Sequence, residues 1–237
     1  MPKHVYGQGD FNTHPNNRKP VGSGPYAFET WDTGMQIALA RNEKYWKTKP
    51  HILKHVFKII TDANAAFQVL ERQELDWMSM TPELYVNRTQ KPEFQAKFTT
   101  YKYSAPVYNY VGWNLRHPQF QDKTVRQALT MLLDRKLILD TIYYGLGKEV
   151  TGESFIDGPE YDQAIKPLPF DPVKAKQLLD AAGWLYSDKD GVRVKDGVPF
   201  RFEMLIRSSS AEAAQIATVF QEELKRANIA MTIRPLE

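Results

Sequence analysis

The stretch PVGSGPYAFETWDTGMQIALARNEKYW, residues 20–46, is the most informative about the fold. Its opening PVGSGPY holds two glycines and two prolines, which predict a rigid bend because proline fixes φ and glycine reaches positive φ. The side chains then alternate, Asp32-Thr33-Gly34 is typical of a turn, and residues 35–41 alternate again. The stretch therefore predicts a bend followed by a β-hairpin. We expect Gly22 and Gly24 to lie at strained or close-packed positions in the bend.

The composition is that of an ordinary globular protein and excludes several classes of function. Hydrophobic residues make up 42% and charged residues 25% of the 237 residues. A net charge of +3 is too small to indicate binding to nucleic acid or to a membrane surface. The absence of cysteine excludes disulfides, thiol catalysis and zinc–thiolate sites. No apolar run approaches the roughly 18 residues of a membrane span, so we expect the chain not to cross a membrane.

Capping residues predict where the helices begin. A Ser, Thr or Asp side chain ahead of a periodic apolar run accepts a backbone N–H of the first turn. In Thr81-Pro82 and Asp171-Pro172, a proline at the first helical position strengthens the signal. Arg126 lies beside a helix start and Asp134 lies between two helices. We interpret both as structural residues, in ion-pair and capping positions, and not as functional ones. Helices are predicted over residues 63–73, 82–90, 123–133, 135–145, 172–183 and 211–227.

Alternation and apolar runs predict the strands. The run ILKHVFKII, residues 52–60, predicts a buried strand. Residues 192–194 and 200–207 predict a hairpin around Asp196-Gly197. Further strands are predicted over residues 98–103, 107–115 and 229–233, and irregular structure over residues 1–19 and 145–170.

The sequence shows no convincing catalytic or metal site. It lacks a nucleophile elbow, a phosphate loop, an HExxH motif and a dinucleotide fingerprint. His51 and His55 would share a face of the predicted strand, but residues so spaced lie about 13 Å apart, too far for one metal ion. Asp188–Gly191 is interpreted as a turn and not a calcium loop, and Ser208–Ser210 as a helix cap. We therefore expect no catalytic residues, no metal and no cofactor, and a protein that acts by binding.

Four stretches resemble the family 5 extracellular solute-binding proteins, the peptide-, dipeptide- and nickel-binding components of ABC importers. The first lies within residues 20–46, as PVGSGPY, a W-D-x-G turn and R-N-x-x-Y-W. The second and most specific is HPQFQDKTVRQALTMLLDR, residues 117–135. The third is D-P-x-K-A-x-x-L-L-x-x-A-G-W, residues 171–184, and the fourth is the helix–asparagine–isoleucine–strand close around Asn228. Gln73 departs from the family pattern G-E-x-D, in which a glycine stands at that position.

The resemblance implies an α/β, periplasmic-binding-protein-like fold of type II with two lobes, here incomplete. Residues 1–105 would be part of the first lobe and residues 106–237 part of the second, with residues 106–114 as a crossover strand. Pro2-Lys3-His4 resembles a family segment ahead of the bend. The chain would then be an internal piece of a longer protein whose secretory signal lies upstream. We expect residues 1–237 alone to gain almost no stability from a ligand.

The tyrosine-rich stretch VYNYVGWNL supplies the candidate ligand site. Alternation places Tyr108 and Tyr110 on one side of this stretch and Trp113 on the other. The family has a tyrosine-rich strand ending in asparagine here. The resemblance therefore implies Tyr108, Tyr110, Trp113 and Asn114 as ligand contacts, and packing in the core is the alternative for these residues.

The resemblance also implies a function. The protein would be the substrate-binding component of an ABC importer and would close two lobes over its ligand. Oligopeptides or dipeptides are the favoured ligands, and the membrane permease of the importer is the expected partner, with no nucleic acid. Alternatives are a nickel or oligosaccharide receptor of the same family, or a non-transport ligand-sensing or peptide-holding domain on the same fold. The expected location is the periplasm or the cell surface.

Overall fold

The computed structural model describes residues 3–237, and the chain splits into two compact units, Met1–Met80 and Thr81–Glu237. Pro2, from the segment that resembles the family, lies outside the described residues. The division at residue 105 concerns the lobes of a longer protein and stays a prediction. None of the helices within residues 3–237 has the length and apolar character that a membrane span requires.

The first unit is built around an antiparallel sheet. The predicted hairpin is confirmed: β1 (Tyr26–Asp32) and β2 (Gln36–Arg41) pair around Asp32–Gly34, where the Met35 N–H donates to the Asp32 carbonyl at 3.0 Å. β3 (Lys54–Lys58) pairs with β2, and Asp62 caps α2 (Ala63–Glu71) by accepting from the Ala65 N–H at 2.7 Å. Short helical turns occupy part of the region predicted to be irregular. The elements are α1 (Lys3–Tyr6), β1 (Tyr26–Asp32), β2 (Gln36–Arg41), β3 (Lys54–Lys58) and α2 (Ala63–Glu71), with 3-10 turns at Phe11–Thr13 and Pro15–Asn17.

The prediction for the two glycines of the bend is wrong. Neither Gly22 nor Gly24 has a φ in the left-handed region. A Cβ placed on Gly22 would lie 4.0 Å from the Gly24 nitrogen, and a Cβ placed on Gly24 would lie 3.9 Å from the Tyr26 carbonyl oxygen, both ordinary contacts. Gly34, in the hairpin turn, does have a φ in the left-handed region, at +76°.

We predict that Gly34→Ala destabilises the chain and Gly22→Ala does not. A Cβ at positive φ clashes with its own backbone, so Gly34→Ala should lower the free energy of unfolding by about 1 kcal/mol. Gly22→Ala should leave it unchanged or raise it slightly, because alanine restricts the unfolded chain. Urea unfolding of the two variants measures the difference. Equal effects in both variants would show that the turn conformation is not the cause.

The strand predicted over residues 52–60 forms but is not buried. β3 is an edge strand, and Leu53 and Phe57 are 64% and 54% exposed. An apolar run predicts burial only where other layers cover both faces of the strand. The buried side chains of this unit instead include Ala38 on β2 and Phe67 and Leu70 on α2.

The second unit combines helices with two small sheets. The predicted caps are confirmed, because the side chains of Thr81, Asp122, Asp134, Asp171 and Ser210 each accept a backbone N–H of the helix that follows. The helices are α3 (Pro82–Arg88), α4 (Pro92–Gln95), α5 (Lys123–Met131), α6 (Arg135–Thr141), α7 (Pro172–Ala181) and α8 (Ala211–Arg226), with a 3-10 turn at Pro118–Phe120. The strands are β4 (Leu185–Ser187), β5 (Val192–Lys195), β6 (Val198–Pro199), β7 (Arg201–Arg207) and β8 (Ala230–Leu236).

One core holds the second unit together. Side chains from α5, α7, α8 and β8 are fully or almost fully buried in it, with Phe120 from the 3-10 turn, and Phe202 and Met204 of β7 pack against it partly buried. Phe200 is completely buried and lies 4.4 Å from the Trp184 ring, centroid to centroid. Fully burying aromatic side chains of this size contributes about 1.5–3 kcal/mol each. The core therefore provides a rigid base for the segments that cross its surface.

Three strand predictions in this unit are corrected. The predicted hairpin around Asp196-Gly197 forms, but its second strand is β6, which pairs with β5. Residues 201–207 instead form β7, which pairs in parallel with β8 after the crossover through α8. Residues 98–103 and 107–115 contain no strand. Within the described chain, residues 99–113 make no backbone–backbone hydrogen bond. Alternation produces a strand only where a partner strand is in reach, and this unit offers none to that stretch.

Candidate functional site

The two tyrosines of the candidate site lie side by side on the surface of the second unit. Tyr108 is 42% exposed and Tyr110 is 76% exposed. Their ring centroids are 5.6 Å apart with an interplanar angle of 38°. Val111 and Trp113, on the other side of the alternation, pack against the core. The segment therefore presents an aromatic pair outward and is held by apolar side chains from behind.

Trp113 is a core anchor in this structure. Its ring lies 4.9 Å from the Phe120 ring, 6.0 Å from Phe202 and 6.3 Å from Phe220, centroid to centroid. These distances are those of attractive aromatic pairs, which contribute beyond their buried area. For Trp113 these contacts support packing in the core, the alternative to a ligand contact. Trp113 lies on the opposite side of the segment from the tyrosine pair.

Asn114 organises the end of the segment. Its Oδ1 accepts from the Arg116 backbone N–H at 3.1 Å, and its carbonyl accepts from the His117 N–H at 3.0 Å. This is an Asx-type turn, in which a short polar side chain replaces a backbone acceptor. The turn directs the chain into the 3-10 turn that carries Phe120 into the core. Asn114 is exposed and remains accessible to a ligand.

A polar cluster behind the tyrosine pair was not predicted. Asn109 Nδ2 donates to the Tyr143 hydroxyl at 2.7 Å and to Glu212 Oε1 at 3.5 Å. The Glu212 carboxylate also acts on the Tyr143 hydroxyl, whose pKa it raises. We call Asn109, Tyr143 and Glu212 the amide–hydroxyl–carboxylate cluster. Its members come from the candidate segment, from the residues after α6 and from the first turn of α8. No local sequence pattern therefore predicts the cluster.

The cluster shifts the ionisation of one of its members. Partial burial, followed by the hydrogen bond and the negative charge of Glu212, raises the pKa of Tyr143 from 10.0 to about 12, while the Asn109 hydrogen bond acts in the opposite direction. A phenolate at Tyr143 would be partly buried and would face the negative charge of the Glu212 carboxylate. Tyr143 therefore stays protonated throughout the physiological pH range.

We predict an alkaline loss of stability that depends on Tyr143. The pKa is higher in the folded state, so the contribution is fully present below pH 10 and is lost as the pH rises towards about 12. Tyr143→Phe should remove this part of the pH dependence. Absorbance titration at alkaline pH, compared between the wild type and the variant, should identify one late-titrating tyrosine. If the wild-type titration curve differed from that of the variant only by one tyrosine that titrates at the ordinary pKa, the raised pKa of Tyr143 would be contradicted.

The long connection after α6 is tied down near the candidate segment. The Arg135 guanidinium donates hydrogen bonds to the Glu149 carboxylate and to the Leu168 carbonyl. The Thr151 backbone N–H donates to the Tyr161 hydroxyl at 3.0 Å. Tyr161 therefore pins this connection. The packing keeps the connection on the surface of the unit without regular structure.

A second tie involves Asp157 in the same connection. Lys148 pairs with Asp157 at 2.9 Å, and Ser104, which precedes the candidate segment, acts on the same carboxylate. Together Lys148 and Ser104 hold the pKa of the Asp157 carboxyl below its usual range. Asp157 is exposed, so this ion pair contributes little stability and mainly sets position.

Arg126 and Asp134 have structural roles, as predicted. Arg126 Nη1 donates to the carbonyls of Phe120 and Gln121, both at 2.8 Å, and Asp134 caps α6.

His55 packs edge-on against the Tyr26 ring, with 4.4 Å between the ring centroids. Among residues 3–237, no three His, Cys, Asp or Glu side chains are grouped so that they could hold a metal ion.

The chemistry offered by the candidate segment is recognition by surface contact. It combines two exposed phenol rings with a run of backbone N–H and C=O groups that make no hydrogen bonds to other backbone groups. Aromatic rings bind apolar and amide surfaces by stacking, and unpaired extended backbone pairs with another extended chain.

Comparison with known proteins identifies the family. The family model for bacterial extracellular solute-binding proteins, family 5 Middle, matches residues 1–237. The oligopeptide-binding protein AppA of Bacillus subtilis is 32% identical over 246 residues, which cover 100% of this chain and 44% of that protein. Similarity therefore extends over all of this chain.

Solved structures agree with the sequence comparison. The structure of AppA from Bacillus subtilis in complex with a nonapeptide matches with a TM-score of 0.79 at 31% identity, covering 100% of this chain and 47% of that one. The structure of NikZ from Campylobacter jejuni in complex with Ni(L-His) matches with a TM-score of 0.84 at 26% identity, covering 99% of this chain and 46% of that one. The expected α/β fold is thereby confirmed, and the chain spans less than half the length of these relatives. The chain belongs to the bacterial extracellular solute-binding proteins, family 5.

Proposed function

We propose that residues 1–237 are part of the substrate-binding component of an ABC importer that binds oligopeptides or dipeptides. The observation that carries the proposal is the exposed Tyr108–Tyr110 pair on a segment whose backbone lacks backbone partners, in a chain related throughout its length to an oligopeptide-binding protein. The family consists of binding proteins, and the proposed action is accordingly binding and release without bond-making.

A peptide can be recognised by this segment in two ways at once. Its main chain can pair with the N–H and C=O groups of residues 107–113, which make no hydrogen bonds to other backbone groups, as an added strand does at a sheet edge. Main-chain pairing does not depend on the peptide's sequence, which suits an importer of mixed peptides. The phenol rings of Tyr108 and Tyr110 would lie against the peptide's side chains or amide planes and add apolar contact. Asn114 is a further polar contact in this proposal.

Transport would follow from the closure of two lobes over the bound peptide. Hinge closure buries the ligand, and the closed form is what a membrane permease would recognise. The residues from 106 onward belong to the second lobe in this proposal and include the crossover from the first. The protein would act in the periplasm or at the cell surface, in keeping with the extracellular character of its family.

A nickel chelate is the second candidate ligand. NikZ, solved in complex with Ni(L-His), resembles this chain at least as closely in backbone shape as AppA does. In such a case the exposed tyrosine rings would face the organic part of the chelate. A ligand-sensing or peptide-holding domain on the same fold differs from both candidates in having no permease partner.

Native mass spectrometry of the full-length protein distinguishes these candidates. The protein is incubated with a tryptic digest of casein, with Ni²⁺ plus L-histidine, or with buffer alone, and the bound mass is read directly. We expect a distribution of peptide masses at one peptide per protein. A single added mass equal to nickel with histidine would identify the second candidate, and the free protein mass in all three samples would contradict the proposal.

A further inference from the structure

We propose that Asn109 is a positioning residue, which acts with Tyr143 and Glu212 to set the geometry of the Tyr108–Tyr110 pair. The inference rests on the proposed function, because the tyrosine pair matters only if it contacts the ligand. Asn109 itself stands between the two tyrosines in sequence, and its side chain is engaged behind the segment.

The segment depends on side-chain anchors because its backbone has no backbone partners. Residues 99–113 make no backbone–backbone hydrogen bond within the described chain. Val111 and Trp113 fix its second half by apolar packing against the core. Apolar contacts tolerate sliding, whereas a hydrogen bond of 2.7 Å fixes one atom against another. Asn109 is therefore the polar anchor at the point where the two rings are attached.

The cluster joins one donor to two acceptors. Asn109 Nδ2 donates to the Tyr143 hydroxyl and to Glu212 Oε1, and the carboxylate only accepts. Bonds that involve an ionised carboxylate are stronger than those between neutral groups. Glu212 lies in the first turn of α8, where the helix dipole favours a negative charge. The anchor is thus attached to a sixteen-residue helix of the core and not to another loop.

Loss of the anchor should weaken ligand binding without unfolding the protein. Without it, the two tyrosine rings sample several arrangements, and the ligand must order them again on binding. The cost of ordering one or two side chains corresponds to an affinity about twofold to tenfold weaker. The core, which contains none of the three cluster residues, stays intact.

An exchange of functional groups tests the proposal in the full-length protein. Asn109→Asp has nearly the same shape but removes the donor and places two carboxylates together. Glu212→Gln removes the charge. The double variant Asn109→Asp/Glu212→Gln exchanges amide and carboxylate between the two positions, so that a donor faces an acceptor again. The matched control is Gln215→Glu/Glu222→Gln, the same pair of changes at exposed positions of α8.

The readout is ¹⁹F NMR of protein labelled with 3-fluorotyrosine. Tyr108→Phe and Tyr110→Phe assign the two resonances, and the resonances of the remaining tyrosines report whether the fold is intact. In the wild type, two fixed rings 5.6 Å apart should give shifts distinct from free fluorotyrosine. Asn109→Asp should move both resonances towards the free value, the exchange variant should restore them, and the control should leave them unchanged.

The outcomes separate this inference from the proposed function. The positioning role would be overturned if Asn109→Asp left the resonances of Tyr108 and Tyr110 unchanged. It would also be overturned if the exchange variant failed to restore those resonances. A casein digest added to each variant supplies the second measurement, with binding expected to weaken in Asn109→Asp and to recover in the exchange variant. The variants can change the resonances as expected while the casein digest leaves the resonances of Tyr108 and Tyr110 unchanged in the wild type. In that case the positioning role is supported and the proposed contact of the tyrosine pair with the ligand is contradicted.

Discussion

Replacing Arg193 by alanine should lower the free energy of unfolding of the second unit by about 3–5 kcal/mol. The Arg193 side chain is only 5% exposed. Its guanidinium donates to the Trp184 carbonyl at 2.6 Å and to the Ala227 carbonyl at 2.8 Å, and it pairs with Asp180 at 2.5 Å. The two carbonyls follow α7 and α8, so one side chain satisfies the ends of both helices. Its removal leaves buried acceptors unpaired and opens a cavity.

Urea unfolding measures this effect, with Arg201→Ala as the control. Arg201 is exposed and donates to the Asp190 carbonyl at 2.8 Å. Its replacement should change the free energy of unfolding by no more than about 0.5 kcal/mol. In thermal unfolding Arg193→Ala should lower Tm by about 10 °C, since each kcal/mol is worth a few degrees in a unit of this size. Equal effects of Arg193→Ala and Arg201→Ala would show that the buried guanidinium does not hold the helix ends together.

The full-length protein should be stabilised by a peptide ligand, and residues 1–237 alone should not. A ligand at 100 times its Kd adds roughly 2.7 kcal/mol to the free energy of unfolding. This chain spans 44% of the length of AppA, and a ligand enclosed by two lobes makes most of its contacts only when both lobes are complete. Thermal unfolding of both proteins with the same casein digest tests the expectation. A rise of several degrees for residues 1–237 would place the whole binding site within this chain.

Local signals in the sequence predicted the helices well. Asp62, Thr81, Asp122, Asp171 and Ser210 each cap a helix at the predicted start, because a cap depends on residues at most three positions apart. The hairpin around Gly34 was predictable for the same reason. These elements need no information about the rest of the chain.

Features that depend on distant parts of the chain were not predictable. Phe57 is apolar and lies in a strand, but its exposure depends on which layers cover the sheet. The alternation of residues 107–115 correctly separates Tyr108 from Trp113, yet no partner strand is present to pair with that stretch. The amide–hydroxyl–carboxylate cluster joins residues up to 103 positions apart, and Arg193 joins residues 34 apart. Nothing in the neighbourhood of Asn109 or Arg193 indicates either contact.

The most direct test of the proposed function is the affinity of the full-length protein for a single peptide recovered from the casein digest. Isothermal titration calorimetry compares the wild type with the double variant Tyr108→Ala/Tyr110→Ala, and Tyr186→Ala, another exposed tyrosine, serves as the control. Aromatic side chains at the centre of an interface commonly contribute more than about 1–2 kcal/mol, so the double variant should bind at least about tenfold more weakly. The control should bind as the wild type does. Equal affinity of the double variant and the wild type would contradict the claim that this tyrosine pair contacts the ligand.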